Sequence, residues 1–373
     1  MLKLNAGLCV RSLSVESQCN KCEVVCPTNA IVIGESKPLP AINFSECVHC
    51  GACVGVCPNE ALQLEEFSPT DLFFDFIEDE ENVLSCRKNV PCIAALSVEH
   101  ILSMVLLKKE MVFDMGYCDS CAIASTCKPQ IEANYEEVTY LLEAMQSDAL
   151  IKLENVCYEN TSEKPTERRD FLSAFNLKSV AKVKKSFEDE IQKASDELVE
   201  HTLQKTDIAL LKKKIIPNKR KLLFTAIKRA QKPSVFHTVE AKELSFTSQK
   251  ILESEACTAC QMCYRVCPSG ALTSDLKNSK IDFDPFLCIK CNICHDVCEP
   301  DAIKLAEAYS IKEFFEPQVV NLIRFHVKRC DECNMFFSAN SEDARLCRRC
   351  QIEEDEAKSL WGIVPNKGVD NDE

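Results

Sequence analysis

The chain has 373 residues, with 58 acidic against 44 basic side chains and a formal net charge of −14, a balance that argues against general nucleic-acid binding. Its 26 cysteines stand beside one tryptophan and eight glycines, so far from ordinary usage that cysteine chemistry has to be the purpose of the fold. The longest apolar runs, around 101–107 and 208–211, are too short to span a bilayer, and Met1-Leu2-Lys3-Leu4 opens no secretory pattern, so a soluble cytoplasmic protein with reduced cysteines is expected rather than a disulfide scaffold.

Along the chain the first feature is a spacing. Cys19, Cys22 and Cys26-Pro27 are followed by Cys47, Cys50, Cys53 and Cys57-Pro58, and the pattern returns at Cys257, Cys260, Cys263 and Cys267-Pro268 and at Cys288, Cys291, Cys294 and Cys298. Three thiolates at i, i+3 and i+6 wrap a tight loop round one iron–sulfur cube, while the fourth reaches a neighbouring cube. Each pair of runs therefore reads as one two-cluster unit. The step from the fourth cysteine of one run to the first of the next is 21 positions in both pairs (47 − 26 and 288 − 267), and Ala30-Ile31, Ala61-Leu62, Ala271-Leu272 and Ala302-Ile303 follow the runs. Such self-similarity implies duplicated units that pack alike. Residues 31–33 and 41–44, separated by Gly34 and two prolines, predict a short hairpin.

These runs resemble the bacterial-type two-cluster ferredoxin family, used twice, over about residues 5–67 and 250–306. The resemblance implies four [4Fe-4S] clusters. By that pattern Cys257, Cys260, Cys263 and Cys298 hold one, Cys288, Cys291, Cys294 and Cys267 a second, and Cys47, Cys50, Cys53 and Cys26 a third. The fourth departs from it: Cys19, Cys22 and Cys57 are in place, but Glu16 stands where the first ligand is expected. Cys9 lies upstream, and a ten-residue loop lets it supply the missing thiolate. A three-iron cluster, an oxygen ligand from Glu16, or a buried Cys9 without metal are the alternatives.

From Phe67 the texture changes to an acidic stretch, Asp75, Glu78, Asp79, Glu80 and Glu81, read as a loop. Residues 82–86 then predict a strand, 98–109 a helix with Ile101, Leu102, Val105 and Leu106 at helical spacing, and 111–115 another strand. A second helix is expected from Pro129 to Gln146 and a third strand over 149–153, the alternation of a small α/β layer with a parallel sheet. Cys86, Cys92, Cys118, Cys121 and Cys127 fall after its strands, where open α/β sheets form sites. The arrangement is similar to the delta-subunit family of methyl-viologen-reducing hydrogenases over about residues 82–128. That similarity implies a further redox centre on Cys86, Cys92, Cys118 and Cys121, most simply a two-iron cluster, with Cys127 as spare or substitute. Small buried hydrophobes or a structural zinc site are the alternatives, and Cys157 is expected to be inert.

Residues 159–169 read as a polar linker and 171–211 as one or two amphipathic helices. Between Lys205 and Lys232 ten Lys or Arg face one acid, Asp207, a patch suited to an acidic partner or to the 75–81 loop. After the last run, Cys330-x2-Cys333 and Cys347-x2-Cys350 fit a tetrahedral four-thiolate site and resemble a zinc ribbon. A rubredoxin-like iron site is the competitor, but the Pro and Gly usual in its second knuckle are missing. The tail beyond Gln351 is acidic and is expected to fray.

No GxGxxG, GxxxxGK or HExxH motif occurs, so no nucleotide, flavin or hydrolytic site and no catalytic residue is expected, and His49, His100 and His295 read as surface or packing residues. The expected architecture is α+β: an N-terminal ferredoxin-like unit (1–67), a small α/β domain (68–158), a helical connector (159–249), a second ferredoxin-like unit (250–310), a zinc-ribbon-like module (311–352) and an acidic tail (353–373). The expected function is a multi-cluster electron-transfer protein passing single electrons to or from a cytoplasmic oxidoreductase. The alternative is an accessory or assembly protein for an anaerobic metalloenzyme such as a formate dehydrogenase, hydrogenase or nitrate reductase. A catalytic disulfide among the central cysteines is a third. No membrane span is expected, peripheral association being left open.

Overall fold

The computed structural model describes residues 1–34, 38–156 and 214–361, and within them the two pairs of cysteine runs build the same small topology twice. In the first unit β1 (Leu2–Leu4), α1 (Lys21–Val24), β2 (Ile31–Val32), β3 (Ala41–Ile42), α2 (Ala52–Val56) and β4 (Leu62–Leu64) follow one another. β1 pairs antiparallel with β4, and β2 with β3 as the expected hairpin.

Next come α3 (Pro69–Glu78), β5 (Val83–Leu84), α4 (Val98–Lys108), β6 (Glu110–Asp114), α5 (Ala124–Ala144) and β7 (Leu150–Glu154). The strands are parallel in the order β5-β6-β7, the small α/β layer that the alternation implies. Two details differ from expectation. Much of the acidic stretch is the last turn of α3 rather than loop, because Ser68 caps the helix at the Asp71 N–H, Pro69 opens it, and Leu72, Phe73 and Phe76 bury one face. α5 starts at Ala124, ahead of Pro129. A proline that early forfeits one backbone bond, which the burial of Ile131, Val138 and Leu141 outweighs.

Beyond residue 213 stand α6 (Asn218–Arg229), β8 (Thr238–Glu240), β9 (Lys250–Leu252), α7 (Met262–Val266), β10 (Leu272–Thr273), β11 (Lys280–Phe283), α8 (Ile293–Asp296) and β12 (Ile303–Leu305). They are followed by β13 (Ala308–Ser310), α9 (Lys312–Phe315), β14 (Val320–Arg324), β15 (His326–Arg329), β16 (Phe336–Ala339) and α10 (Arg348–Leu360). The pairings β9–β12 and β10–β11 repeat those of the first unit. The segment expected as a helical connector also carries β8, which pairs with β13, and β14 adds to the edge of β11. α10 continues into the stretch expected to fray, braced by Arg349–Glu353 and Lys358–Glu354 ion pairs at i,i+4. Cys157 and the amphipathic stretch 171–211 lie outside the described residues.

α6 joins the parts. It packs on α4, and its first turn meets Glu60 of the first unit, whose carboxylate accepts the Asn218 and Lys219 N–H at 2.6 and 3.1 Å. Lys219 Nζ donates to the Cys57 carbonyl at 2.7 Å. Arg220, fully buried, donates from Nε to Glu99 of α4 at 2.6 Å, from Nη2 to the Phe246 carbonyl at 2.9 Å and from Nη1 to the Phe286 carbonyl, with its guanidinium over both phenyl rings. So the basic residues read as a patch for an acidic partner or for the 75–81 loop are, at Lys219 and Arg220, interior groups pairing with buried Glu99. The acidic stretch instead pairs locally, Glu81 and Asp79 with Lys88. One continuous set of buried side chains, from Leu2 to Phe325, runs through all these units.

Candidate cluster and metal sites

Four cavities of similar size, with about 290 to 390 Å³ of empty space, are each lined by four cysteines. One gathers Cys26, Cys47, Cys50 and Cys53, another Cys257, Cys260, Cys263 and Cys298, a third Cys267, Cys288, Cys291 and Cys294. The fourth gathers Cys9, Cys19, Cys22 and Cys57. Cys9 thus stands where the run lacks a ligand, while Glu16 is exposed and outside the cavity lining. The loop that brings Cys9 in is tied down by Arg11, whose Nη1 donates to the Ser17 and Cys19 carbonyls at 2.7 and 3.1 Å.

The loops share a backbone device invisible as a residue pattern. In three runs the residues flanking the second cysteine are left-handed: His49 and Gly51, Ala259 and Gln261, Lys290 and Asn292. Alternation of this kind turns successive N–H groups toward one centre, a concave anion nest. The Cys19 run has no such pair. After each run a further left-handed residue, Asn29, Glu60, Gly270 or Asp301, aims an N–H at the last cysteine: Ala30, Ala61 and Ala302 donate to Cys26, Cys57 and Cys298 Sγ at 3.2 Å, and Leu272 to Cys267 Sγ at 3.4 Å. Hydrogen bonds to sulfur tune a thiolate-bound cluster.

Electrostatically the thiols call for a cationic centre. Burial, then the neighbouring cysteines, pushes Cys22 up to about 12 and raises Cys53 and Cys263 further, while Cys294 rises to about 12 by burial against the opposing pull of Lys250. Four desolvated sulfurs become thiolates together only around positive charge, which iron supplies. The donor set therefore fits an iron–sulfur cluster.

In the middle domain Cys86 follows β5, Cys92 precedes the turn at Ile93–Ala95, and Cys118 and Cys121 bracket a turn after β6. Cys118 feels the charges of Cys92, Cys86 and Cys121, so these four share one locality. Asp114 organises it, accepting from Ser85 Oγ at 2.7 Å and from the Gly116 and Val156 N–H. Cys127, read as spare or substitute, is buried in α5 near both Cys92 and Cys50, so it stands between this locality and a cavity of the first unit. The approach is tight: a Cβ on Gly55 would lie 2.4 Å from the Ala94 carbonyl oxygen, and one on Gly51 2.7 Å from Ala95 Cβ.

Cys330, Cys333, Cys347 and Cys350 form the one group among the described residues whose ligand atoms all lie within 4.8 Å. Four thiolates at about 2.3 Å from one ion fit that spacing. Backbone N–H groups pull Cys330 down to about 6, a thiolate ready for metal. The middle-domain cysteines do not come that close together, which disfavours a single zinc ion there. No helix among the described residues is long and apolar enough to cross a membrane. Of the histidines, His100 is buried in the cap of α4 with Ser97, and His295 faces Lys250 at 2.8 Å.

The first and second cysteine-run units pack against each other through two of the cavities. Val10, Val266 and Ile293 are buried together with Cys19 and Cys291 at their margin, and the Gln18 N–H donates to Asp296 Oδ2 at 2.9 Å. Comparison with known proteins matches a family described as a 4Fe-4S dicluster domain at residues 17–61 and a second family so described at 256–303. Pyruvate synthase subunit PorD of Methanocaldococcus jannaschii is 43% identical over 58 residues, 15% of this chain and 65% of that protein, so the chain spans less than two thirds of that relative's length. Two 4Fe-4S dicluster ferredoxin domains are therefore present.

Proposed function

We propose that this chain is a multi-cluster electron-transfer protein working as a redox subunit or dedicated carrier of an oxidoreductase. Four [4Fe-4S] clusters are assigned to Cys9/Cys19/Cys22/Cys57, Cys26/Cys47/Cys50/Cys53, Cys257/Cys260/Cys263/Cys298 and Cys267/Cys288/Cys291/Cys294. A fifth iron–sulfur centre is assigned to Cys86, Cys92, Cys118 and Cys121, and a structural zinc ion to Cys330, Cys333, Cys347 and Cys350. The carrying observation is the set of four cavities of similar size, each with four cysteines. One-electron uptake and release is what such groups supply when bound.

Contacts between the protein's own residues connect neighbouring sites. Cys127 links the middle locality to the Cys50 site, the first unit passes inward to Cys57, the contact at Cys19 and Cys291 crosses to the second unit, and Asn340 and Arg348 of the terminal module sit on the loop at Cys257 and Thr258. The relative's name, a subunit of pyruvate synthase, supports a place inside a larger enzyme over an assembly role.

Iron, acid-labile sulfide and zinc per chain, measured on protein purified without oxygen, test the assignment. Four cubes require about 16 iron, the fifth centre about 18, and the terminal site one zinc. About 12 iron or fewer refutes it. Preferential binding to an apo-enzyme, without reversible reduction, points to the assembly role instead.

A further inference from the structure

A fifth cavity belongs to none of the sites above. It has about 860 Å³ of empty space, more than twice that of any of the four cluster cavities, and admits water-sized molecules over about 290 Å³. That is the lower end of the roughly 300–1,000 Å³ of small-molecule sites. Residues of α1, α2, α4, α5 and α6 contribute to its wall together with Phe246 and Ile289, so the cleft exists only where both cysteine-run units, the α/β layer and the clamping helix meet.

Its charged lining is unbalanced. Lys219 and Glu99, both buried, pair with each other at 3.5 Å, and Glu99 also holds Arg220. Lys21, half-buried, adds a second ammonium, which has the Lys290 carbonyl at 3.4 Å and no carboxylate within ion-pair distance among the described residues. Two ammonium groups thus face one carboxylate, and one positive charge is left over. Val98, Phe246 and Ile289 supply apolar wall beside it. A single surplus charge next to apolar surface selects a small organic monoanion. Inorganic phosphate carries up to two charges and no apolar part, so it would leave those walls wet and bring surplus negative charge to Glu99.

The cleft also shares walls with two of the cluster cavities. Lys21 and Pro58 line both it and the Cys9/Cys19/Cys22/Cys57 cavity, and Ile289 lines both it and the Cys267/Cys288/Cys291/Cys294 cavity. None of its lining residues belongs to the other two. We propose that this cleft binds a small organic carboxylate, with the carboxylate on Lys21 and the carbon chain against Phe246 and Ile289, and that the two adjoining clusters sense the occupant. A bound anion disfavours the more negative, reduced form of a cluster, so occupancy lowers the potentials of these two and leaves the other two unchanged. The binding needs no cluster; the sensing rests on the cluster assignment proposed above.

The test is calorimetry on the full chain, purified without oxygen and with its iron counted, using butyrate, butyramide and inorganic phosphate as probes. Butyrate should bind, and its amide and phosphate should not. Lys21→Met should weaken butyrate at least about tenfold, the loss of one charge-assisted contact. Gln130→Glu, in a helix that carries no assigned cluster ligand, should weaken it as much by setting a second carboxylate in the cleft, and it decides the matter where Lys21→Met loses iron. No butyrate binding, equal binding of the amide, tighter binding of phosphate, or full affinity in the iron-replete variants each overturns the site. In a reductive titration followed by electron paramagnetic resonance, saturating butyrate should then lower the potentials of the signals that Cys19→Ser and Cys291→Ser alter, and leave in place those that Cys50→Ser and Cys260→Ser alter. A uniform shift of all four, or no shift with butyrate bound, overturns the sensing. Iron well short of four cubes in the unaltered protein defeats the cluster assignment and the sensing with it, while the calorimetry still decides the binding.

Discussion

At the scale of single residues, Cys9 carries the sharpest expectation. Its placement among Cys19, Cys22 and Cys57 means that Cys9→Ser should lower iron by up to about four per chain or leave a three-iron signal, whereas Glu16→Gln should leave iron and spectra unchanged. Iron loss from the Glu16 variant alone would reverse the assignment. Cys127→Ser should keep the iron count, since Cys127 stands beside Cys50 and Cys92 and is surplus to both four-cysteine sets. His100 sets a pH dependence: burial pushes it down to about 3, so the folded chain holds it neutral while the unfolded chain protonates it near 6.5. The unfolded state binds the extra proton, so this contribution is whole above about pH 6.5 and is lost as pH falls toward 3. His100→Gln should flatten urea-unfolding stability across that window; an unchanged slope would exclude His100 as its source.

Between elements, α6 is the clamp. Glu99→Gln leaves the Arg220 guanidinium buried without its counter-ion and should cost roughly 3–5 kcal/mol in denaturant unfolding. Gly55→Ala drives a methyl group into the Ala94 backbone and should destabilise the seam between α2 and the Cys92 turn by roughly 1–3 kcal/mol. Wild-type midpoints in both variants would remove α6 and the glycine seam as docking devices. These seams are also where reading the sequence stops. Cysteine spacing is a local property, since i, i+3 and i+6 fix one loop, and the βαβαβ alternation is local too, so both were legible. The sign of a residue's charge is legible but its burial is not: Lys219 and Arg220 sit in a basic run that looks solvated and lie in the core only because Glu99, 121 positions from Arg220, meets them. Likewise the left-handed residues at Ala259 and Lys290 are of types that seldom announce that conformation.

For the whole molecule, the two cysteine-run units repeat one topology, and the outer elements are grafted onto it: the parallel sheet at one end, the four-thiolate hairpin and α10 at the other. Asn340 bonds to the carbonyls of Ser254 and Cys257, and Arg348 to Thr258 and Glu299, so the terminal module covers the outermost loop of the second unit. Chelation of metal at the Cys330/Cys333/Cys347/Cys350 site, or Cys333→Ser, should therefore leave the iron count unchanged while increasing the sensitivity of the Cys257 site to oxygen. Equal bleaching rates with and without zinc would confine the module to a role away from that site.

The clamp at α6 also has a meaning in time. During synthesis the first unit and the parallel sheet leave the ribosome well before residue 218, so the faces around Glu60, Glu99 and the Cys57 carbonyl stay uncovered by α6 until it follows.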